Sequence, residues 1–290
     1  MKWIDYAAPH SVRGAVDLLG QAGDKARIMA GGTDLLVQLR LRAYDLDLVV
    51  DGKGIPDLNE LTYDPINGLT VGAAVPCYRI YGNAAVAQAY PGLIDAISAI
   101  GGTQIQGRAS LGGNLCNAAP SADSIPPMIA LNATARIAGP NGTREVAVED
   151  FCTGVRQTVI GQGEILTSIH FPPPEANTGA HYLRFTPRNE MDIAVAGAGV
   201  SVTLNNGNIA SARVILSAVA PTPLFVKEAG DALAGKPAND ESIAVAAGIA
   251  RDAAKPITDM RGTIEFRKHL CEVLTRRALN TAIERAKENN

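Results

Sequence analysis

Three consecutive prolines at 172–174 divide the 290-residue chain into a longer N-terminal part and a shorter C-terminal part. Proline fixes φ and has no amide hydrogen, so a run of three cannot lie inside a helix or a paired strand. The sequence Glu-Ala-Asn-Thr-Gly that follows is typical of a linker. A chain of this length suits two compact domains or one large one. We therefore predict an N-terminal domain over 1–175 and a C-terminal domain over 176–290.

The N-terminal domain begins with the pattern of a small α/β unit. Three short apolar stretches predict strands, and two amphipathic stretches between them predict helices, of which the second covers 34–41. The resulting β-α-β-α-β order defines a first subdomain over about 1–55, and about 56–175 forms a second α/β subdomain. The predicted elements of the second are a strand over 68–75, helices over 76–89, 91–100 and 123–131, a hairpin with its turn at 141–142, and a strand over 164–171.

The C-terminal domain has the pattern of an α+β domain. Two of its predicted strands are joined by Asn205-Asn206-Gly207, a tight turn that makes them antiparallel neighbours. Helices follow the strands instead of alternating with them, which favours a three-stranded antiparallel sheet with helices on one face. The predicted strands cover 181–188, 193–204 and 209–220, and the predicted helices cover 224–233, 241–254 and 262–287.

Composition, charge and the motifs that are missing from the sequence disfavour several classes of function. The formal net charge is −3 without a basic tract, which makes nucleic acid an unexpected partner. No apolar run approaches the roughly 18 residues of a membrane span, and the N-terminus lacks the apolar core of a signal peptide, so we expect a cytoplasmic protein. The four cysteines and four histidines have no metal-ligand spacing, so we expect reduced thiols and no metal site. Neither a GxSxG motif nor a P-loop occurs, which disfavours a hydrolase or a kinase.

Two glycine pairs lie about 80 residues apart, Gly31-Gly32 in AGGTDLL and Gly112-Gly113 in ASLGGN. Glycine lets backbone N–H groups approach an anion closely, and a following helix adds a favourable dipole. Thr33 supplies a hydroxyl donor at the first pair, and Asp34 stands where a helix cap is expected. A plain strand–turn–helix explains either pair alone equally well. Together, the pairs predict two loops that hold the two phosphates of one dinucleotide. The spacing is not GxGxxG, so a Rossmann nicotinamide site is not indicated.

Two charged residues and one cysteine complete the candidates. Asp123 follows the second glycine pair, and it suits either a helix cap or an acceptor for hydroxyl groups of a ribose or ribityl chain. Arg184 suits either a solvated surface position or a fixed positive charge near a pyrophosphate or a flavin ring. Cys116 lies beside the second pair, where we expect a packing role. No set of acid–base residues for substrate chemistry stands out.

These motifs occur in a fixed order that is found in one family: 28–35, GAAV at 72–75, ASLGGN, PSAD at 120–123, GEIL at 163–166 and MDIA at 191–194. Over essentially its whole length, the chain resembles the FAD-binding medium subunit of molybdenum hydroxylases, the xanthine dehydrogenase and aerobic carbon monoxide dehydrogenase family. The resemblance implies an α+β fold. It consists of a PCMH-type (vanillyl-alcohol-oxidase-like) FAD-binding domain and a C-terminal flavoprotein domain of the CO dehydrogenase type.

The resemblance also implies roles for individual residues. The segment 28–35 would wrap the FAD pyrophosphate from one side, and 110–114 would close on the other side. Asp123 would bind the ribityl or phosphate region, and Leu166 would pack at the adenine end. Arg184 matches a position that is often Lys, and Ile100 matches a position near the flavin ring that is aromatic in xanthine dehydrogenase. The implied FAD-binding residues are Ile28, Met29, Ala30, Gly31, Gly32, Thr33, Asp34, Leu35, Ala74, Ile100, Ser110, Leu111, Gly112, Gly113, Asn114, Asn117, Asp123, Leu166 and Arg184.

The function implied by the resemblance is electron transfer within a heterotrimer that itself dimerises. A small [2Fe–2S] subunit and a large molybdopterin subunit would be the partners, because this chain has neither the cysteines nor the insertion for an iron–sulfur cluster. Its FAD would pass electrons to NAD+, a quinone, another carrier or oxygen. The substrate, of the CO, N-heterocycle, purine or aldehyde class, would react on the molybdenum subunit. Two alternatives are a stand-alone PCMH-type flavin oxidase or reductase and a cofactor-free scaffold.

Overall fold

The computed structural model describes residues 3–289. Its first unit is a three-stranded parallel sheet of order β1-β3-β2 with two helices, so the predicted β-α-β-α-β order is confirmed. Ser11 caps the first helix, since its Oγ accepts a hydrogen bond from the amide of Gly14. The elements are β1 (Asp5–Ala7), α1 (Val12–Ala22), β2 (Ala26–Met29), α2 (Leu35–Arg40) and β3 (Leu48–Asp51).

The second unit contains a five-stranded sheet of order β4-β5-β10-β6-β7 and a short ribbon formed by β8 and β9. Every neighbouring pair in this sheet is antiparallel, which corrects the α/β assignment of this subdomain. Short turns join β4 to β5 and β6 to β7, and such hairpins require antiparallel pairing. The strands are β4 (Leu61–Asp64), β5 (Gly68–Gly72), β6 (Thr134–Gly139), β7 (Gly142–Ala147), β8 (Cys152–Gly154), β9 (Gln157–Thr158) and β10 (Ile165–Phe171).

Six short helices lie between these strands. The single helix predicted over 76–89 is two helices, because Asn83 starts a new one by accepting hydrogen bonds from the amides of Ala85 and Val86. The helix predicted over 123–131 begins only after Asp123. The helices are α3 (Cys77–Tyr81), α4 (Ala84–Ala89), α5 (Pro91–Ile97), α6 (Thr103–Gln106), α7 (Leu111–Asn117) and α8 (Ile125–Ala130).

The C-terminal unit contains an antiparallel sheet of order β11-β12-β13-β14. The three long strands are confirmed, and the structure adds a short fourth strand where the sequence predicted the start of a helix. Leu224 and Phe225 pair with Leu216 and Ile215, so their backbone groups belong to the sheet and the helix starts later. The elements are β11 (Thr178–Phe185), β12 (Ala196–Asn205), β13 (Asn208–Ser217), β14 (Leu224–Phe225), α9 (Lys227–Leu233), α10 (Asp240–Ala253) and α11 (Ile264–Glu288).

Within residues 3–289, two large apolar cores and one small cluster, formed by Leu39, Leu46 and Val49, are buried. One large core spans both N-terminal units, and the other lies between the C-terminal sheet and helices α9–α11. Helix α8 packs on β12 so closely that a Cβ at Gly199 would lie 2.8 Å from Cβ of Pro126. Asp95 on α5 accepts a 2.6 Å hydrogen bond from Nη1 of Arg285 on α11. These contacts hold the C-terminal sheet and helix α11 against the N-terminal units. No helix within residues 3–289 has the length and apolar character needed to cross a bilayer.

Candidate functional site

A cavity of about 930 Å³ lies where the parallel sheet, helix α7 and strand β11 meet. Both glycine pairs line it, the first after β2 and the second inside α7. The volume lies near the upper end of the range for small-molecule sites, as a dinucleotide requires. The two loops predicted from the sequence therefore form two walls of one cavity.

In the first loop, the two glycines have different roles. A Cβ at Gly31 would lie 2.0 Å from the carbonyl oxygen of Arg108, so this position packs against the chain that leads into the second loop. Gly32 has φ of +77°, a conformation that side chains rarely adopt. Asp34 occupies the N-cap position of α2 but makes no capping hydrogen bond to any described residue, so the expected capping contact is absent. It lines the cavity instead, where desolvation by the surrounding protein atoms raises the pKa of its carboxyl.

In the second loop, Ser110 is the N-cap of α7 and its Oγ accepts a 3.1 Å hydrogen bond from the amide of Gly113. A Cβ at Gly112 would lie 2.5 Å from the carbonyl oxygen of Ala73, so this glycine permits close packing. A Cβ at Gly113 would meet only Ser110 Oγ, at 3.1 Å, and otherwise open space. Gly113 is therefore the glycine of the pair whose substitution would fill the cavity. Leu111 is fully buried and does not line the cavity.

Hydrogen bonds of amide side chains connect the two walls of the cavity. Nε2 of Gln38 on α2 donates a 2.8 Å hydrogen bond to Oδ1 of Asn117 on α7. Within α7, Oδ1 of Asn114 accepts a 2.7 Å hydrogen bond from Ser124 Oγ at the start of α8. Gln38 is buried, which makes its hydrogen bond costly to break. The separation between the loops is thus fixed by the protein itself.

A buried ionic cluster lies at one side of the cavity. Asp123 Oδ2 accepts a 2.6 Å hydrogen bond from Nη1 of Arg184, and Asp123 Oδ1 accepts one of 2.6 Å from the hydroxyl of Tyr182. Burial raises the pKa of Asp123 to about 6, although the charge of Arg184 and both hydrogen bonds act in the opposite direction. Neither the cap role considered for Asp123 nor the solvated position considered for Arg184 is observed, because Ser124 is the cap residue of α8 and Arg184 is mostly buried.

Eighteen of the nineteen predicted residues line this one cavity, and Leu111 alone does not. Ala74, Ile100 and Leu166 are among those that do, although they come from distant parts of the sequence. The loop that carries Ile100 is held by buried Gln106, whose Nε2 donates to the carbonyl oxygens of Ser98 and Ile100. Sequence reasoning missed Gln106, Gln38 and Tyr182, because a buried amide or phenol has no motif of its own.

Cys116 was expected to pack, but it is exposed on the cavity wall. The protein atoms around it raise the pKa of its thiol to about 12, so it is a neutral thiol at physiological pH. The acidic, histidine and cysteine side chains within residues 3–289 form no group of three or more that could hold a metal ion.

A second cavity of about 610 Å³ shares Gly101 and Arg184 with the first. Hydroxyl and charged side chains supply much of its lining, among them Ser98, Thr186 and Arg188. Arg184 therefore forms part of the wall between two cavities.

Residues 2–174 match the family described as the FAD binding domain in molybdopterin dehydrogenase, and residues 181–282 match the CO dehydrogenase flavoprotein C-terminal domain. The chain belongs to this family of FAD-binding subunits of molybdopterin-containing dehydrogenases. The predicted family, the α+β fold and FAD as the cofactor of this chain are confirmed, as is its place among oxidoreductases.

Individual relatives are similar to this chain over nearly its full length. The chain is 31% identical to the xanthine dehydrogenase FAD-binding subunit of Escherichia coli O157:H7 and 34% identical to the carbon monoxide dehydrogenase medium chain of Afipia carboxidovorans, with 98% of each chain covered in both cases. Among solved structures, it matches CO dehydrogenase from Oligotropha carboxidovorans at a TM-score of 0.94, with 32% identity over 98% of this chain and 99% of the other. Quinoline 2-oxidoreductase from Pseudomonas putida 86 matches at 0.91, with 29% identity over 99% of each chain.

Proposed function

We propose that this chain is the FAD-carrying electron-transfer subunit of a heterotrimeric molybdenum hydroxylase. It takes electrons from [2Fe–2S] clusters of a small partner subunit and passes them through FAD to an external acceptor. The hydroxylated substrate, of the CO, N-heterocycle, purine or aldehyde class, reacts on a large molybdopterin subunit. When bound, FAD supplies the conversion between one-electron and two-electron transfer.

The observation that carries this proposal is the single large cavity between two glycine loops. Gly113 leaves open space on the cavity side, and Arg184 presents a fixed positive charge. The cavity has a volume of about 930 Å³, which is large enough for a dinucleotide, and its lining residues come from positions between 19 and 193. The residues present therefore fit FAD.

We assign the residue roles on this basis. The segments 28–35 and 110–114 hold the pyrophosphate from its two sides, with Leu111 packing in the core behind the second loop. Asp123 accepts hydrogen bonds at the ribityl or phosphate region, and Leu166 packs at the adenine end. Ile100 and Arg184 lie toward the flavin ring. Ala74 and Asn117 complete the wall of the cavity.

The second cavity supports access of an external acceptor, because it shares Arg184 and Gly101 with the first. NAD+, a quinone, another carrier and oxygen all remain candidates for this acceptor. We also propose the domain division near residue 175, a dimer of heterotrimers and a cytoplasmic location. The four cysteines are free thiols, which supports a reducing compartment.

The experiment is purification of the complex through a tag on this chain, followed by analysis of its subunits, iron, molybdenum and flavin. We expect one FAD per chain and bleaching of the flavin absorbance when the complex meets its substrate, tested with carbon monoxide, a purine, an N-heterocycle and an aldehyde. The isolated chain loaded with FAD should show no bleaching with these compounds. Turnover by the isolated chain would favour a stand-alone flavin enzyme, and a complex without flavin would favour a scaffold.

A further inference from the structure

Tyr182 is almost fully buried, yet its hydroxyl reaches a carboxylate on the cavity wall. It donates a 2.6 Å hydrogen bond to Asp123, and only 3% of Tyr182 is exposed. Arg184 occupies the other oxygen of the same carboxylate, also at 2.6 Å. Both oxygens of Asp123 therefore have a protein donor.

The donors come from a different part of the chain than the carboxylate. Tyr182 and Arg184 stand two positions apart on β11, so both side chains lie on one face of that strand. Asp123 lies between α7 and α8, in the segment that matches the FAD binding domain, whereas β11 belongs mostly to the segment that matches the C-terminal domain. The two hydrogen bonds thus join the C-terminal sheet to the wall of the cavity.

A glycine makes room for the Tyr182 hydroxyl. Gly197 on β12 pairs with Arg184, and a Cβ there would lie 2.7 Å from the hydroxyl oxygen of Tyr182 and 2.4 Å from Oγ of Ser217. A larger residue at this position would displace the tyrosine from Asp123. The absence of a side chain at Gly197 therefore leaves the space that the hydrogen bond between Tyr182 and Asp123 requires.

We propose that Tyr182 is a positioning residue for the cofactor. Its hydroxyl keeps the Asp123 carboxylate charged and aimed at the cavity, and the C-terminal sheet thereby controls how tightly the N-terminal units retain FAD. This inference rests on the proposed function, since it takes FAD as the occupant of the cavity. Its physical basis is that a charged carboxylate accepts hydrogen bonds from ligand hydroxyls, whereas a protonated one offers a donor instead.

The electrostatics of the cluster support this role. Burial raises the pKa of Asp123 to about 6, and the charge of Arg184 and the hydrogen bonds from Tyr182 and Arg184 keep it from rising further. Those two residues of β11 are the charged or titratable groups that act on Asp123 among the described residues. Burial and the charge of Asp123 hold the pKa of Tyr182 well above 10, so its hydroxyl stays a donor at neutral pH. The carbonyl oxygen of Asp192 accepts a second hydrogen bond from Arg184 and fixes the guanidinium.

The test is the pH dependence of FAD binding to the full chain, measured by calorimetric titration of the apoprotein between pH 5 and pH 8. In the unmodified chain, we expect affinity to fall as pH drops through about 6. In Tyr182→Phe, loss of one hydrogen bond to a charged group should move this midpoint upward by about one pH unit. Binding should then weaken roughly twofold at pH 7 and roughly tenfold at pH 5, because the charged fraction of Asp123 falls by those factors. Tyr90→Phe is the matched control, because its buried hydroxyl donates to the carbonyl oxygen of Pro172 and lies outside both cavities.

The pH midpoint of FAD binding distinguishes a positioning role of Tyr182 from a general loss of structure in the variant. A uniform weakening at every pH, or a profile for Tyr182→Phe equal to that of the unmodified chain, would overturn the inference while the proposed function stands. A second variant, Asp123→Asn, should bind weakly and without pH dependence in this range. Tight binding by that variant at pH 7.5 would also overturn the inference. Absence of FAD binding by the unmodified chain at every pH would overturn the proposed function itself.

Discussion

The sharpest perturbation of the site is Gly113→Ala, because it separates ligand binding from stability. The added methyl group would meet only Ser110 Oγ at 3.1 Å and would otherwise project into open space of the cavity. Alanine in a helix is favoured over glycine by up to about 1 kcal/mol, which offsets that one close contact. We therefore expect the free energy of unfolding of the apoprotein to change by less than about 1 kcal/mol.

The effect on FAD should be much larger. A methyl group at Gly113 keeps a phosphate away from the backbone amides of the second loop, and a hydrogen bond to a charged group contributes about 1.5–3 kcal/mol. The dissociation constant for FAD should rise by roughly 10-fold to 100-fold, since about 1.4 kcal/mol corresponds to a factor of ten. Gly113→Val should abolish FAD retention.

The assay is calorimetric titration of FAD into the apoprotein, with urea unfolding measured on the same preparation. Gly248→Ala is the matched control, because Gly248 lies inside α10 with no atom within 4 Å of an added Cβ. Gly32→Val is a poorer test, since φ of +77° makes any substitution there strain the backbone. Unchanged FAD affinity in folded Gly113→Ala would refute the pyrophosphate assignment.

Two further predictions concern buried charges. The pKa of Asp123, about 6 in the folded chain against 3.8 as its ordinary value, means that its protonation stabilises the apoprotein at acid pH and that this contribution is lost as pH rises through 6. In urea unfolding, the free energy of unfolding of the unmodified apoprotein, relative to that of Asp123→Asn, should fall by about 2 kcal/mol between pH 4.5 and pH 7. If the difference in unfolding free energy between the two proteins stays constant over this range, burial is not the cause of the raised pKa of Asp123. Arg285→Ala should lower the free energy of unfolding by about 2 kcal/mol, because it removes the guanidinium that pairs with half-buried Asp95 and donates to the carbonyl oxygen of Ala180, and FAD affinity should stay unchanged. Equal stability of Arg285→Ala and the unmodified chain would show that the Asp95 ion pair contributes nothing.

Much of the fold follows from local pattern. The β-α-β-α-β unit and the hairpin at 141–142 depend on apolar periodicity and turn residues, which act over a few positions. The antiparallel arrangement of the second sheet was missed, because β5 and β10 pair across about 100 residues of chain and no local signal records that contact. The strand at Leu224–Phe225 was missed for the same reason, since only pairing with β13 distinguishes it from a helix start.

The candidate site likewise contains residues that the sequence could identify and residues that only the structure shows. The glycine loops carry their own signal, because a position where an added Cβ would lie within 2.5 Å of another chain segment tolerates no side chain, as at Gly31 and Gly112. From buried positions, Tyr182 acts through one side-chain hydrogen bond to Asp123 and Gln106 through two to backbone carbonyls, and a buried tyrosine or glutamine has no spacing rule. Asp123 was recognised as a candidate, but its ion pair with Arg184 became evident only from the contact of β11 with the cavity.

Amide hydrogen exchange with and without FAD, followed by mass spectrometry on the apoprotein, tests the central claim most directly. One FAD per chain should protect the backbone amides of both glycine loops, at 30–35 and 110–114, in the same titration. Smaller protection should extend to β11 at Arg184. Protection of one loop alone, or of neither loop at saturating FAD, would contradict a single pyrophosphate site with two walls.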